Sequence, residues 1–315
     1  MQRAARRGWR YEMSAIRVSA NRPTDHRANL TGSLWMIAAM AGFAVEDALL
    51  KAAATVLPIG QILIVFGLGG AAVFAALIRI SDAALYTPDV RSRPMLIRIV
   101  FEITGRLFYV LAIALIPLST ATVILQATPI VVVAGAALVF RERVGWRRWT
   151  AIIVGLCGVM VILKPGTDGF SALSILAVIG MLGFAGRDLA SRAAPAALST
   201  AMLGLYGFLS VVAAGALFAL WEGRVFLLPD SASTMYLLGA VAAGICAYSS
   251  LMKAMRTGEV SAVTPFRYTR LIFGIGLGML LFGEALTPSI LIGSALIVVS
   301  GLVILWRGKK AKPPV

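Results

Sequence analysis

Acidic residues, histidine and cysteine are all scarce in this chain. Its 315 residues include 14 aspartates and glutamates, one histidine (His26) and two cysteines (Cys157 and Cys246). With the single histidine outside every apolar segment, a histidine proton relay is excluded. No His/Cys/carboxylate cluster has metal-ligand spacing, so neither a metal nor another cofactor is expected. Both cysteines lie in apolar runs without an obvious partner, which reads as small apolar packing rather than a disulfide framework. There is no Gly-x-x-x-x-Gly-Lys-Ser/Thr phosphate loop, so ATP-driven work would need another chain. Charged residues of both signs make up only 14%, against about 25% in a soluble domain.

What fills the chain instead is apolar. Hydrophobic residues reach 59% and the mean hydropathy is +0.89, the composition of an integral membrane protein embedded in a lipid bilayer. Apolar runs at roughly 30–50, 59–80, 95–116, 118–140, 149–164, 171–190, 198–220, 234–255, 260–282 and 288–306 are each close to the ~20 residues that span ~30 Å of hydrocarbon. The start of the fifth run can extend back to Trp146. The formal net charge of +15 would suggest nucleic acid in a soluble protein. Here nearly all lysines and arginines fall in the N-terminal tail, the loops and span ends on one side, and the C-terminal tail. Only Lys51, Lys164 and Arg224 lie opposite, and Arg106, Arg267 and Arg270 sit within spans. The positive-inside rule therefore places both termini in the cytoplasm, assigns the charge to membrane topology and leaves no nucleic-acid partner. Residues 1–29 form a basic tail without a signal-peptide core, and Met13 offers a second start; residues 307–315 form another basic tail.

A ten-residue pattern occurs twice. Gly42, Phe43, Ala44, Asp47 and Lys51 answer to Gly183, Phe184, Ala185, Asp188 and Arg192. Glu142 after the fourth run answers to Glu284 after the ninth, and Gly158 to Gly301. The expected fold is therefore all-α: ten transmembrane helices as two five-helix repeats, residues 30–164 and 171–306. Five is odd, so the second repeat must enter from the opposite face, the inverted arrangement that forms a site near the midplane. By parity, Asp47 and Lys51 fall near the outer mouth, and Asp188 and Arg192 near the inner one.

With these features the chain resembles the EamA-type drug/metabolite transporters. The resemblance rests on the ten-run plan, the repeat, the runs Phe140-Arg141-Glu142 and Phe282-Gly283-Glu284, and Gly293 and Gly301 in the last helix. The family often has a proline about thirteen residues before the glutamate; Pro129 fits, whereas the matching place in the second half is Leu271, beside Arg270. The resemblance implies a secondary transporter of the bacterial inner membrane. Its implied solutes are amino acids, nucleotide-sugar-like compounds, vitamins and other metabolites, in either direction.

Several residues could carry transport. Asp47 with Lys51, and Asp188 with Arg192, stand four apart with the acid first, so each can pair on one helix face. They are gate candidates, or they only neutralise themselves. Glu46 and Arg187 are their unmatched neighbours, and Glu46 is the better titrating group. Glu102 and Arg106, again four apart, lie near the middle of the third run beside Tyr109, where a charge should face a partner or water. Arg267 and Arg270 flank Tyr268 and would repel unless an acid such as Glu102 or an anionic solute lies between them. Gln126 and Thr128 are polar positions beside Pro129, which should kink the fourth run. Trp35, Phe43, Phe184, Tyr206, Tyr248 and Phe266 could stack on a ring. Lys253 is read as snorkelling.

These features lead to a transporter of a small molecule. The intramembrane arginines favour an anionic or strongly hydrogen-bonding solute and the aromatics favour a planar ring. Riboflavin import, known among relatives of this compact type, is the first substrate expected, with export of amino acids or other metabolites as the alternative. Glu46 and Glu102 are the candidate proton carriers. A membrane enzyme lacks a catalytic constellation and a channel lacks a filter or charge ring. A homodimer is compatible with this plan but not required by it.

Overall fold

The computed structural model describes residues 26–139, 145–164, 171–195, 197–257 and 263–308, and these residues contain helices but no strand. The helices are α1 (His26–Ala53), α2 (Ile59–Ile80), α3 (Arg93–Leu115), α4 (Leu118–Leu125), α5 (Thr128–Val139), α6 (Trp146–Leu163), α7 (Ser174–Arg192), α8 (Thr200–Glu222), α9 (Ser231–Thr257), α10 (Thr269–Phe282) and α11 (Pro288–Gly308). Short 3₁₀ turns at Pro88–Arg91 and Thr264–Tyr268 precede α3 and α10. Among the described residues, six segments are long and apolar enough to cross a membrane: His26–Ala53, Ile59–Ile80, Leu118–Val139, Ser174–Ser191, Thr200–Glu222 and Ser231–Met255. Trp149–Leu163 and Pro288–Ile304 are shorter apolar helices.

Local chemistry sets the helix ends. Pro58 and Pro117 precede α2 and α4, and Ile116, held extended by the proline after it, ends α3. Ser199 accepts the Met202 N–H at 3.2 Å to cap α8, and Gly223 closes it with a left-handed φ of 65°. Asp230 accepts the Ser233 N–H at 2.8 Å ahead of α9, and these bonds hold its carboxyl below the usual range. At the end of α10, Gly283 has φ 63°. The Gly283 N–H bonds Met279 O, the bond of an αL ending, and the Glu284 N–H bonds Gly278 O, both at 3.1 Å.

The fourth apolar run is broken between Gln126 and Ala127, slightly ahead of Pro129, which sits in the first turn of α5 where a missing N–H is tolerated. Pro129 leaves the Leu125 carbonyl without its helical donor, and Thr128 Oγ1 bonds that carbonyl at 2.5 Å. The second half repeats the device without proline: Thr269 Oγ1 bonds Phe266 O at 2.7 Å. Hence the true counterpart of Pro129 is Arg270, not Leu271, and both halves have a broken helix.

The packing has the symmetry of the repeat. α1 packs on α9 and α7 on α3, so the first helix of each half lies against the third helix of the other. α2 packs on α8 and α6 on α11, each helix against its own counterpart. The glycine of the repeated pattern is the crossing point in both cases. A Cβ at Gly42 would lie 2.9 Å from Ala247 Cβ, and one at Gly183 would run into the backbone of Gly105. With no hydrophobic drive between helices in lipid, such close approaches carry the association. Gly183→Val should therefore destabilise the protein by about 3 kcal/mol through overpacking, while Gly276→Ala, with nothing within 4 Å of its Cβ, should melt no lower than wild type. Thermal unfolding in detergent measures both.

Polarity is turned inside out. Glu46 and Asp47 are 1% exposed, whereas Ile80, Leu220 and Leu280 are at least 80% exposed. The outward girdle suits lipid and forces the charges to satisfy one another inside. Cys157 and Cys246 belong to the exposed surface, which corrects the expectation of buried packing.

Candidate transport site

A cavity of about 440 Å³ lies between the halves, bounded by α1, α3, the two broken helices, α7, α8 and α9. Two charge networks form its wall. In the first, Glu46 Oε1 accepts from Arg106 Nη1 at 2.7 Å, and Asp47 Oδ2 accepts from Arg270 Nη2 at 2.5 Å and from the Tyr109 hydroxyl at 3.0 Å. Arg270 lies 5.3 Å above the Phe43 ring, and Arg106 5.2 Å above Phe66. In the second, Glu102 bridges Arg98 at 3.4 Å and Arg187 at 3.2 Å. Arg187 also holds Asp188 at 2.8 Å and lies 4.8 Å over Phe184, and Arg98 donates to Ser191 Oγ at 3.0 Å. The phenylalanine and aspartate of each repeated pattern thus stand beside an arginine, from α10 in one half and from α7 itself in the other.

Of the intrahelical pairs expected from spacing, Asp47–Lys51 and Glu102–Arg106 do not form. Asp47 and Lys51 part company, because α10 and α3 bring Arg270 and Tyr109 to the aspartate. Glu102 takes Arg98 and Arg187 rather than Arg106, and Arg106 takes Glu46, which therefore does have a partner. Arg270 is offset by Asp47 and not by Glu102. Asp188 pairs with its neighbour Arg187, and the Arg192 side chain lies outside the described residues. Asp47 also lies in the buried network rather than at a mouth.

The two helix breaks meet at the cavity. Gln126 Nε2 donates to the carbonyl of Arg267 at 2.9 Å, and these residues are repeat counterparts 141 positions apart. Gln126, Thr128, Pro129, Arg267 and Arg270 all line the space, as do Tyr248, Phe43 and Phe184. The Tyr248 hydroxyl donates to Thr200 O at 3.2 Å. Tyr268, Trp35, Tyr206 and Phe266 are not in the lining. Tyr268 is 6% exposed and faces Gly301; Tyr206 bonds Leu85 O, and Trp35 lies under Lys253.

One end of the bundle is closed by the Phe282-Gly283-Glu284 run. Glu284 accepts from the Leu118 N–H at 2.5 Å, the Ser119 N–H at 2.9 Å and the Ser119 hydroxyl at 2.7 Å, capping the start of α4 from the other half. Lys51 donates to the last carbonyls of α3, Ile113 O at 2.8 Å and Ile116 O at 2.7 Å, 3.9 Å from Glu284 and 5.3 Å above Phe282. An anion thus sits at a helix N-terminus and a cation at a C-terminus, as the helix dipoles favour. The corresponding run Phe140-Arg141-Glu142 lies outside the described residues. Sequence reading missed Arg98, which it counted only among the basic residues at the inner end of the third run, although Arg98 lies four residues before Glu102. It also gave no role to Ser119 or Ser191.

The sequence pattern of the EamA-like transporter family matches twice, over residues 30–164 and 172–306. The chain belongs to the EamA-like transporter family. It is a multi-pass membrane transporter of a small molecule and not an enzyme. Among its relatives, a riboflavin transporter of Vibrio cholerae serotype O1 is 27% identical over 297 residues, covering 90% of this chain and 96% of the other. A pseudopaline exporter, CntI, of Pseudomonas aeruginosa is 30% identical over 285 residues, covering 89% and 97%. An S-adenosylmethionine uptake transporter of Rickettsia felis is 24% identical over 207 residues, covering 66% and 69%. A crystal structure described only as that of a protein matches with a TM-score of 0.60 at 20% identity, over 89% of this chain and 98% of that one, which shows a shared fold. Among the described residues of this EamA-like chain, no group of three or more His, Cys, Asp or Glu could hold a metal ion.

Proposed function

We propose that the protein is a secondary transporter that carries a small, polar, ring-bearing metabolite across the bacterial inner membrane by alternating access, with riboflavin import as the first substrate. The observation that carries this reading is the cavity of about 440 Å³ between the halves. Its size suits a small molecule, whose pockets run about 300–1,000 Å³, and it combines paired charges, aromatic faces and two broken helices. In this reading the chain crosses ten times as two inverted five-helix repeats, with both termini cytoplasmic. The cavity then opens toward the cytoplasmic ends of α3, α7, α8 and α9, and the Glu284 and Lys51 contacts seal the outer side. The similarity to a riboflavin transporter supports the first substrate. The similarity to the pseudopaline exporter favours the second reading, export of an amino-acid-like metabolite.

Growth rescue of a riboflavin auxotroph at low external riboflavin, followed by radiolabelled uptake, tests the proposal. Rescue with saturable uptake is expected; failure with the protein present in the membrane removes riboflavin import. Coupling to protons would run through Glu46 or Glu102, whose protonation would release Arg106 or the Arg98–Arg187 pair. Glu46→Gln and Glu102→Gln should each flatten the pH dependence of uptake. Normal rates with an unchanged pH profile in both would contradict that coupling.

A further inference from the structure

The cavity wall leaves one kind of hydrogen-bonding capacity unspent. Four of its five arginines, Arg98, Arg106, Arg187 and Arg270, each face a carboxylate within 3.4 Å. Arg267 does not. Its side chain is half-buried and lines the cavity, and no carboxylate among the described residues makes an ion pair with it. The buried side-chain atoms in the wall that lack partners are donors as well, Nη1 of Arg98 and Nε of Arg106 and Arg270, whereas no wall carboxylate has a buried oxygen left over. A solute that satisfies this wall must bring acceptors. The repeat sharpens the choice: at the helix break the first half presents the neutral amide of Gln126, and the second presents the guanidinium of Arg267.

We propose that Arg267 anchors a paired-acceptor edge of the transported solute, supplied by a carboxylate or by a ring carbonyl beside an unprotonated ring nitrogen. The inference rests on the cavity being the transport site. A guanidinium offers parallel N–H groups at the spacing of two such adjacent acceptors, a geometry that a lysine ammonium cannot reproduce. The adjacent Gln126 fixes the Arg267 backbone rather than competing for its side chain, so the guanidinium is positioned while remaining free. The ring that bears the acceptors would lie against Phe43 and Phe184, both in the same wall.

The test uses purified full-length protein in lipid nanodiscs and two probes, riboflavin for the carbonyl–nitrogen edge and nicotinate, with nicotinamide as its uncharged twin, for the carboxylate edge. Affinity is read by equilibrium binding and fold by thermal unfolding. At least one probe should bind wild type. Arg267→Gln should weaken that binding at least about tenfold, the loss of a charge-assisted pair, with little change in melting temperature because Arg267 holds no ion pair. Arg267→Lys should recover only part of the affinity, and the exposed Arg79→Gln none of the defect. The proposal is overturned if neither probe binds wild type, or if Arg267→Gln binds with wild-type affinity. The transport reading fails separately, when vesicles containing wild-type protein accumulate no riboflavin beyond protein-free vesicles.

Discussion

Replacing Glu102 by alanine should reduce initial uptake below one tenth of wild type and destabilise the protein by about 3–5 kcal/mol, the usual loss when one partner is removed from a buried ion pair. Glu102 is 5% exposed and, among the described residues, is the only carboxylate in an ion pair with both Arg98 and Arg187. Without it, Arg98 keeps Ser191 and the Leu203 carbonyl, neither of them charged. Arg187 keeps Asp188, but the two guanidiniums face each other across the space the carboxylate left. The α3–α7 crossing is close, with Gly105 against Gly183, so the arginines cannot retreat without parting the halves. Removing Arg98 together with Glu102 should therefore be less damaging than the two single changes summed. Coupling of about 1–3 kcal/mol is expected in a double-mutant cycle read by thermal unfolding.

Glu284→Ala should lower stability by about 3 kcal/mol, since hydrogen bonds to a charged group contribute about 1.5–3 kcal/mol each and this carboxylate makes three that are partly redundant. Two N–H groups at the start of α4 would lose their acceptor, and Lys51 would lose the acid 3.9 Å from it. Glu284→Gln keeps one acceptor oxygen and should recover about half of the loss by the same accounting. Because Glu284 comes from the second half and α4 from the first, the change should also loosen one end of the bundle. A cysteine at Thr120 should then react faster with a maleimide in the Glu284→Ala background than in wild type.

Much of this was legible in the sequence, and the rest fails for a definable reason. The repeat could be read because Gly42 and Gly183 serve the same close crossing and Asp47 and Asp188 each stand beside an arginine, so the same constraints act twice. The break in the fourth run was legible from Pro129. Its counterpart was hidden because Thr269 makes the backbone bond with Arg270 in the place of Pro129, one position before the Leu271 at which a proline was sought. Ion pairing was misread at Glu46, Asp47 and Glu102: tertiary packing brings Arg106 to Glu46 and Arg270 and Tyr109 to Asp47, while Glu102 takes Arg98, four residues before it on the same helix, together with Arg187 from α7. Arg98 escaped because a basic residue at the inner end of a span counts as a topology signal, and only the packing of α7 on α3 shows that it is buried beside Glu102. The glutamate of Phe282-Gly283-Glu284 was visible as a motif, but its role as a cap on α4 requires contact between the halves.

The account stands on the cavity being the path of the solute. The direct measurement is the rate at which a cysteine at Leu251, in a protein with Cys157 and Cys246 replaced by serine, reacts with a small maleimide in vesicles that are taking up riboflavin. Leu251 lines the cavity and Leu280 lies on the exposed outer surface. Saturating riboflavin should slow labelling at position 251 several-fold and leave a cysteine at position 280 unaffected. Equal labelling rates at position 251 with and without riboflavin, while uptake proceeds, would contradict it.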